Sequence, residues 1–257
     1  MIFLSVWQGI FLGVLQGLTE FLPVSSSGHL FLAEKLLGCE VDVFFNLLLH
    51  LGTLFAVVTV MWGPVQKMIF HPFTDMRLGM VIMASVPTFI LAAAAELFLP
   101  EEWYSWILPV GFLATAVLLF FSDKGKNVRP LYAPPYTHVW AAGIAQGIAV
   151  IPGLSRSGSI LSVLNFFGVK KEESAEFAFL LSLPVILAGT VVKGYKAVVT
   201  DAPVVSNMLP VLLGMLVAYI VGTVCLRLFI GYLKNKSLRP FALYMILPLL
   251  LSILTAW

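Results

Sequence analysis

The order of apolar and polar positions along the chain predicts a bundle of membrane-crossing helices. Six apolar runs are each close to the roughly 20 residues that a helix needs to cross a bilayer. They lie at about 43–62, 78–99, 105–121, 174–192, 206–226 and 240–257. Segments 1–37 and 139–168 are also apolar, but proline, glycine and serine interrupt each of them midway. Non-helical backbone at membrane depth must be buried in protein or line a wet cavity, so we expect each interrupted segment to form a re-entrant helical hairpin.

Composition also predicts a multi-pass membrane protein. Of the 257 residues, 60% are hydrophobic and 11% are charged, whereas a soluble domain is about one-quarter charged. The N-terminal run has neither a basic start nor a small-residue cleavage site, so we interpret it as retained membrane structure and not as a signal peptide. The two cysteines, Cys39 and Cys225, are far apart in sequence. They suggest neither a disulfide framework nor a cysteine metal site.

The basic residues predict how the chain is oriented. If each interrupted segment returns to the side it entered from and the six spans alternate, 11 of the 15 lysines and arginines share one face. The positive-inside rule assigns that face to the cytoplasm. The loops at 38–42 and 100–104 carry only acidic charges and fit the outer face.

This layout gives the two halves of the chain opposite orientations. The first hairpin would enter from outside and the second from the cytoplasm, which is the arrangement of inverted-topology repeats with a central site. We predict one all-α integral membrane domain with six transmembrane helices and two re-entrant hairpins. The first pseudo-repeat covers about 1–121, a polar linker covers about 122–138, and the second pseudo-repeat covers about 139–257.

Two matched polar stretches mark the candidate site. Residues 16–30 read QGLTEFLPVSSSGHL, and residues 146–158 read QGIAVIPGLSRSG. Each begins with Gln-Gly, continues through apolar residues to a proline, and ends in a serine cluster closed by glycine. Polar groups this dense inside an apolar chain are costly in lipid, and they indicate function.

The serine clusters are suited to binding an anion. Backbone N–H groups in such breaks lose their helical partners, and the helix that follows adds the positive end of its dipole. Arg156 offers a planar fork that matches two phosphate oxygens. The residues we predict to bind the anion with Arg156 are Ser25, Ser26, Ser27, Gly28, Ser155, Ser157 and Gly158. The alternative is that small residues only let helices pack closely, but two matched clusters with a deeply placed arginine favour the anion site.

Glu20 and His29 flank the first break and could converge on one cavity. His29 could act as a nucleophile, a general base or a general acid. Glu20 could orient that imidazole or bind a divalent cation that bridges phosphate oxygens. The alternative is a buried ion pair that only fixes the fold. In the run at 43–62, Asn46 and His50 are four residues apart and share a helix face, so His50 could reach the site or bond between helices.

These motifs resemble the two signature motifs of bacterial undecaprenyl-diphosphate phosphatases of the bacitracin-resistance (BacA) type. The first motif is long and specific, and it covers Gln16 to His29. The second covers Pro152 to Gly158, and the segments 50–53 and 176–184 also look like segments of that family. The resemblance extends over nearly the whole chain.

The resemblance implies hydrolysis of undecaprenyl diphosphate to the monophosphate carrier of peptidoglycan synthesis, assisted by a divalent cation such as Mg²⁺ or Ca²⁺. It implies six spans with two re-entrant hairpins in the bacterial inner membrane. Matched by position, Glu20, Ser26, His29, Ser155 and Arg156 correspond to residues that the family treats as functional.

Our candidate catalytic residues are Glu20, Ser26, His29 and Arg156, with Glu20 also a candidate metal ligand and Gln16, Thr19 and His50 as possible supporting residues. Gln16 stands where some family members have a second glutamate, which puts a two-carboxylate metal site in doubt. The nucleophile remains open between Ser26, His29 and water.

A different class of function fits the same architecture. An inverted repeat could alternate access and transport a lipid phosphate, with Arg156 and Glu20 binding without catalysing. A scaffold role in cell-wall assembly would not require Arg156. In each case the partners we expect are a polyprenyl lipid and the bilayer, and no nucleic acid, while the oligomeric state is open.

Overall fold

The computed structural model describes residues 4–39, 43–125, 128–199 and 208–255. In these residues the chain is α-helical, with a single isolated β-bridge between Arg129 and Val169. The helices of this part are α1 (Val6–Thr19), α2 (Ser26–Leu37), α3 (Val43–Val60), α4 (Trp62–Phe70), α5 (Met76–Phe98), α6 (Tyr104–Phe121), α7 (Thr137–Ile148), α8 (Arg156–Phe166), α9 (Lys171–Val199), α10 (Met208–Leu233), α11 (Arg239–Tyr244) and α12 (Ile246–Thr255).

The long helices confirm the class predicted from the apolar runs. Among the described residues, the helices long and apolar enough to cross a membrane are Met76–Phe98, Tyr104–Phe121, Lys171–Val192 and Met208–Leu233. A fifth crossing results if Phe45–Val60 and Trp62–Phe70, which meet at a bend of 84°, form one span. The chain is therefore a helical integral membrane protein, with four to five candidate spans in its described part.

The predicted run at 240–257 corresponds to one apolar helical stretch, Arg239–Thr255, with a single interruption. It is divided at Met245 into α11 and α12, and residues 256–257 lie outside the described part, as do 206–207 of the preceding run. Pro248 explains the division, because it has no N–H to donate to the carbonyl of Tyr244 one turn earlier.

Both interrupted segments form a helix, a break and a second helix, and the name hairpin denotes each of these two units, α1–α2 and α7–α8. That each unit enters and leaves the membrane on the same side stays a prediction. The first break lies between α1 and α2, and the second lies between α7 and α8. A serine caps the second helix of each hairpin in the same way. Ser25 Oγ accepts from the Gly28 N–H at 3.4 Å, and Ser155 Oγ accepts from the Gly158 N–H at 3.1 Å. These caps satisfy amides that have no partner inside the helix.

The first helix of each hairpin packs against a long helix of the opposite half. α1 packs on α10, and α7 packs on α5. Small residues permit the close approach, since a Cβ added at Gly13 would lie 2.4 Å from the carbonyl oxygen of Gly214. A Cβ added at Gly143 would lie 2.1 Å from the carbonyl oxygen of Ala84. Such contacts are the usual basis of helix association in membranes.

The first half of helix α9 lies in the core of the bundle. The consecutive residues Phe177, Ala178 and Phe179 are at most 2% exposed, as expected of a helical segment that is buried on all sides. It packs on α3, α5 and α8. It therefore provides a common wall beside both breaks.

Candidate active site

Glu20, at the end of α1, is the centre of a buried polar cluster. Its side chain is 3% exposed. Oε1 accepts from Arg156 Nη2 at 2.5 Å, and Oε2 accepts from Ser26 Oγ at 2.6 Å and from Gln16 Nε2 at 3.0 Å. His50 Nε2 lies 3.8 Å from Oε2. Side chains from both hairpins and from α3 thus meet at one carboxylate.

A cavity of about 310 Å³ lies beside this cluster. The polar part of its lining consists of Ser25, Ser26, Ser27, Asn46, His50, Gln146 and Arg156. The remainder is mostly apolar and consists of Leu47, Ala149, Val150, Leu154, Val185, Ile186, Gly189 and Thr190. A cavity with a few convergent polar groups and a larger apolar lining is typical of small-molecule sites, and this one fits an amphiphile.

Two helices begin at the polar part of the cavity. Ser26 is the first residue of α2 and Arg156 is the first residue of α8, and both line the cavity. The first amides of a helix have no acceptor inside it, and each helix start carries a partial positive charge. Together with the guanidinium of Arg156, these groups make the polar part of the cavity suitable for a phosphate.

The backbone at the first break is strained. Ser25 has φ 68° and ψ 91°, and it is the one non-glycine residue with positive φ among those described. The equivalent cap in the second hairpin, Ser155, has an ordinary φ of −72°. Strain of this kind costs on the order of 1–3 kcal/mol and is concentrated at functional sites. The strained residue therefore belongs to the hairpin that carries both Glu20 and Ser26.

His29, predicted to act at the site, turns away from the cavity lining. Its Nδ1 lies 2.8 Å from the carbonyl oxygen of Ser25, and its Nε2 lies 3.0 Å from the hydroxyl of Tyr244. Its ring also stacks on Tyr244, with centroids 5.7 Å apart. Because a carbonyl oxygen only accepts, Nδ1 carries a proton, and in the neutral ring Nε2 accepts from Tyr244. To reach a substrate in the cavity, His29 would have to leave Tyr244.

Several other predicted residues support the hairpins, and of these only Ser25 also lines the cavity. Ser157 Oγ donates to the carbonyl of Leu22 at 3.1 Å and so joins the two breaks. Thr19 donates to the carbonyl of Leu15 within α1. The caps described above occupy the amides of Gly28 and Gly158 and the hydroxyls of Ser25 and Ser155. A direct role of Ser155, Ser157, Gly28 and Gly158 in binding stays a prediction.

His50, for which the sequence left two possibilities open, lines the cavity. Its Nδ1 lies 2.8 Å from the carbonyl oxygen of Asn46, so Nδ1 carries the proton and Nε2 faces Glu20. Asn46 in turn donates from Nδ2 to Glu34 Oε1 at 3.1 Å. His50 therefore reaches the site and is held by its own helix.

Sequence reasoning missed three features of the site. Gln146 lines the cavity, and the repeated Gln-Gly dipeptide was the signal that could have identified it. Tyr244, the partner of His29, gives no such signal. The apolar lining, including Val150 and Gly189, is also invisible in a chain where most residues are apolar.

The donor set does not fit a divalent cation caged by the protein. Both oxygens of Glu20 already accept hydrogen bonds, one of them from the positive charge of Arg156. Gln16 uses its amide nitrogen toward Glu20, where a second carboxylate would otherwise supply a ligand. The described residues contain no group of three or more His, Cys, Asp or Glu side chains that could hold a metal ion. The predicted cation at Glu20 stays a prediction.

The fold and the site together define a class, namely a multi-pass membrane protein with a buried polar cluster and a cavity where two interrupted helical segments meet. A sequence profile of the family described as "Bacitracin resistance protein BacA" matches residues 9–250. The chain belongs to this family.

Proteins named undecaprenyl-diphosphatase align with nearly the whole chain. The one from Halothermothrix orenii is 35% identical over 246 residues, covering 94% of this chain and 94% of its own. The one from Treponema denticola is 35% identical over 261 residues, covering 95% and 94%. The one from Syntrophotalea carbinolica is 36% identical over 256 residues, covering 94% and 95%.

Proposed function

We propose that this protein is an undecaprenyl-diphosphatase. It hydrolyses undecaprenyl diphosphate to the monophosphate and inorganic phosphate, and this recycling of the carrier for peptidoglycan synthesis confers bacitracin resistance. The observation that carries the proposal is the cluster of Ser26, Glu20 and Arg156 beside a cavity that is polar in one part and apolar in the other. The names of the relatives support the same activity.

Arg156 and the starts of α2 and α8 bind the diphosphate. The guanidinium presents paired N–H groups to phosphate oxygens, and the helix starts add their partial positive charge. Ser25 and Ser27 line the same part of the cavity. In phosphoryl transfer, such positioning and charge stabilisation supply most of the catalysis.

Ser26 and Glu20 have the geometry of a nucleophile and its base. The Ser26 hydroxyl donates to Glu20 Oε2 at 2.6 Å, and Arg156 and Gln16 orient that carboxylate, which is the arrangement expected of an activated nucleophile. Ser26 Oγ bonds to the terminal phosphorus as its proton moves to Glu20. The bond from that phosphorus to the bridging oxygen breaks, and undecaprenyl monophosphate leaves. Water then attacks the phosphorus of the phosphoserine, the bond to Ser26 Oγ breaks as Glu20 returns its proton to that oxygen, and inorganic phosphate is released.

The competing nucleophiles predict different intermediates. Water activated directly by Glu20 would form no phosphoenzyme, and attack by His29 would form an acid-labile phosphohistidine. Rapid quenching of the enzyme with substrate labelled in its terminal phosphate, in acid and in parallel in alkali, followed by peptide mapping, distinguishes the three, because phosphoserine survives acid and phosphohistidine survives alkali. Label on Ser26 supports the serine path, and its absence under single-turnover conditions contradicts that path.

The divalent cation remains part of the proposal, but as a component of the bound substrate. Mg²⁺ is commonly held by substrate phosphates with few protein carboxylates, and a single carboxylate already paired with Arg156 is consistent with that arrangement. Charge neutralisation on the phosphate oxygens is the chemistry that the cation would supply.

The full architecture we propose is six spans and two re-entrant hairpins in an inverted repeat within the bacterial inner membrane. The crosswise packing of α1 on α10 and of α7 on α5 supports it, as does the distribution of basic residues. In this orientation the cavity faces the outer leaflet, because Asn46 and Gly189 lie toward the outer ends of α3 and α9.

Phosphate release from undecaprenyl diphosphate by the purified protein in detergent, with Mg²⁺ or with EDTA, tests the function. We expect release by the wild type, and a loss of at least about a hundredfold in Arg156→Ala, since that variant removes a charge that stabilises the transition state. Arg227→Ala is the matched control, because Arg227 is exposed on α10. Folded wild type that releases no phosphate under any cation would contradict the proposal and leave lipid transport as the function to test.

A further inference from the structure

The apolar part of the cavity is continuous with the part that would hold the diphosphate. It is formed by the second break, through Val150 and Leu154, and by α9, through Ile186 and Gly189. Arg156 and Ser26 line the same volume. A ligand that fills this cavity therefore carries an ionised group and hydrocarbon attached to each other.

The inner end of this apolar part is closed and its outer end is open. Where α7 and α9 meet, Gln146 Nε2 donates to the carbonyl of Leu181 at 3.4 Å. Val150 lies about one turn beyond Gln146, and Gly189 lies about two turns beyond Leu181 on α9. Both residues line the cavity. Val150 is nevertheless 42% exposed. The cavity therefore reaches the outer surface of the bundle beside Val150.

The surface around this opening is apolar. On the α9 side, the lining residues Val185 and Gly189 are themselves partly exposed. Ile148, just before Val150, is 45% exposed. On a membrane-crossing helix such residues face hydrocarbon, so the opening leads into the lipid.

The size of the cavity requires such an opening for a polyprenyl substrate. At about 310 Å³ it lies at the small end of the roughly 300–1,000 Å³ that encloses drug-sized ligands. A diphosphate and the first part of a chain fit, whereas a chain of eleven isoprene units has to continue outside. We propose that this chain leaves the cavity between the second break and α9, through the opening bounded by Val150 and Gly189. This inference rests on the proposed function and specifies where its substrate lies.

A second apolar groove, between α1 and α10, provides a competing path. It has a volume of about 470 Å³, and Leu18, Val224 and Phe241 are among its lining residues. None of the side chains that bond Glu20 lines it. It therefore accommodates bilayer lipid without contact to the headgroup site, and it serves as the control location.

Gly189 offers a direct test. A Cβ added there would meet no atom within 4 Å, so a large side chain can enter the opening without displacing backbone. We expect Gly189→Trp to raise the KM for undecaprenyl diphosphate about tenfold, the scale on which hydrophobic pockets discriminate, and to leave hydrolysis of isopentenyl diphosphate unchanged. Gly231→Trp, at a position on α10 that is equally open, leaves both substrates unaffected.

Two results would overturn the proposal. An unchanged KM for undecaprenyl diphosphate in folded Gly189→Trp would show that the chain lies elsewhere. An equal loss for both substrates would show that the tryptophan blocks the headgroup and not the chain. If Gly189→Trp does not fold, Gly189→Leu carries the same comparison.

Photocrosslinking tests the exit without depending on hydrolysis. Benzoylphenylalanine replaces Val150 in one variant and Val224 in another, and each variant is irradiated with radiolabelled undecaprenyl monophosphate. Preferential labelling at position 150 supports the exit, whereas labelling at position 224 alone, or equally at both positions, contradicts it. No phosphate release by the wild type, together with preferential labelling of the position-150 variant, would refute the diphosphatase activity and retain the lipid path.

Discussion

Removal of Arg156 should destabilise the protein, because it leaves a buried carboxylate without its positive partner. Arg156 Nη2 lies 2.5 Å from Glu20 Oε1, and the Glu20 side chain is 3% exposed. Breaking a buried ion pair by deleting one partner costs about 3–5 kcal/mol. Ser26 and Gln16 still donate to Oε2 after the change. We therefore expect Arg156→Ala to lower the free energy of unfolding by about 3 kcal/mol, at the lower end of that range.

The assay is thermal unfolding in detergent, combined as a double-mutant cycle with Glu20→Gln. For a chain of this length a loss of that size lowers Tm by about 6–12 °C. In the Glu20→Gln background no carboxylate is left unpaired, and Arg156→Ala should then cost less than about 1 kcal/mol. The difference between the two backgrounds is the coupling energy of the pair.

An equal loss of Tm in both backgrounds would refute this reasoning, because it would show that Arg156 stabilises the protein through packing and not through Glu20. An unchanged Tm in the Arg156→Ala variant alone would refute it as well. Either result would also weaken the assignment of Glu20 as an ionised base beside Ser26.

Three further predictions concern packing, backbone strain and metal binding. Gly143→Ala should lower the free energy of unfolding by about 1–3 kcal/mol through overpacking. Gly79→Ala, where a Cβ meets nothing within 4 Å, should leave it unchanged or raise it by up to about 1 kcal/mol. Equal Tm shifts in the two variants would contradict the close contact at Gly143. The Ser25→Gly variant should have a free energy of unfolding about 1–3 kcal/mol higher than that of Ser25→Ala, because φ is positive there. The same two changes at Ser155 should differ by less than about 1 kcal/mol. An equal difference at both sites would contradict strain at the first break. Mg²⁺ without lipid should leave Tm unchanged, since a ligand raises Tm only by binding the folded protein; a rise that disappears in Glu20→Gln would reveal a cation held by the protein.

The sequence by itself determined the helical membrane class and the positions of the two breaks. Run length and composition are local properties, and a bilayer imposes them directly on the chain. The serine caps of α2 and α8 also follow from local sequence. Ser25 and Ser155 each lie three residues before a glycine, and the serine Oγ accepts a hydrogen bond from the N–H of that glycine. Glu20 and Arg156 could be assigned to one site because they are charges that a membrane protein does not bury without a partner.

Only the tertiary structure decided which of the polar residues share the cavity. His29 and Tyr244 are 215 residues apart, and their contact removes His29 from the lining, whereas His50 is oriented toward Glu20. The apolar opening between the second break and α9 was equally beyond the sequence. In a chain that is 60% hydrophobic, the same apolar residue types line the cavity, fill the core and face lipid. Their roles differ only through how the helices pack against one another.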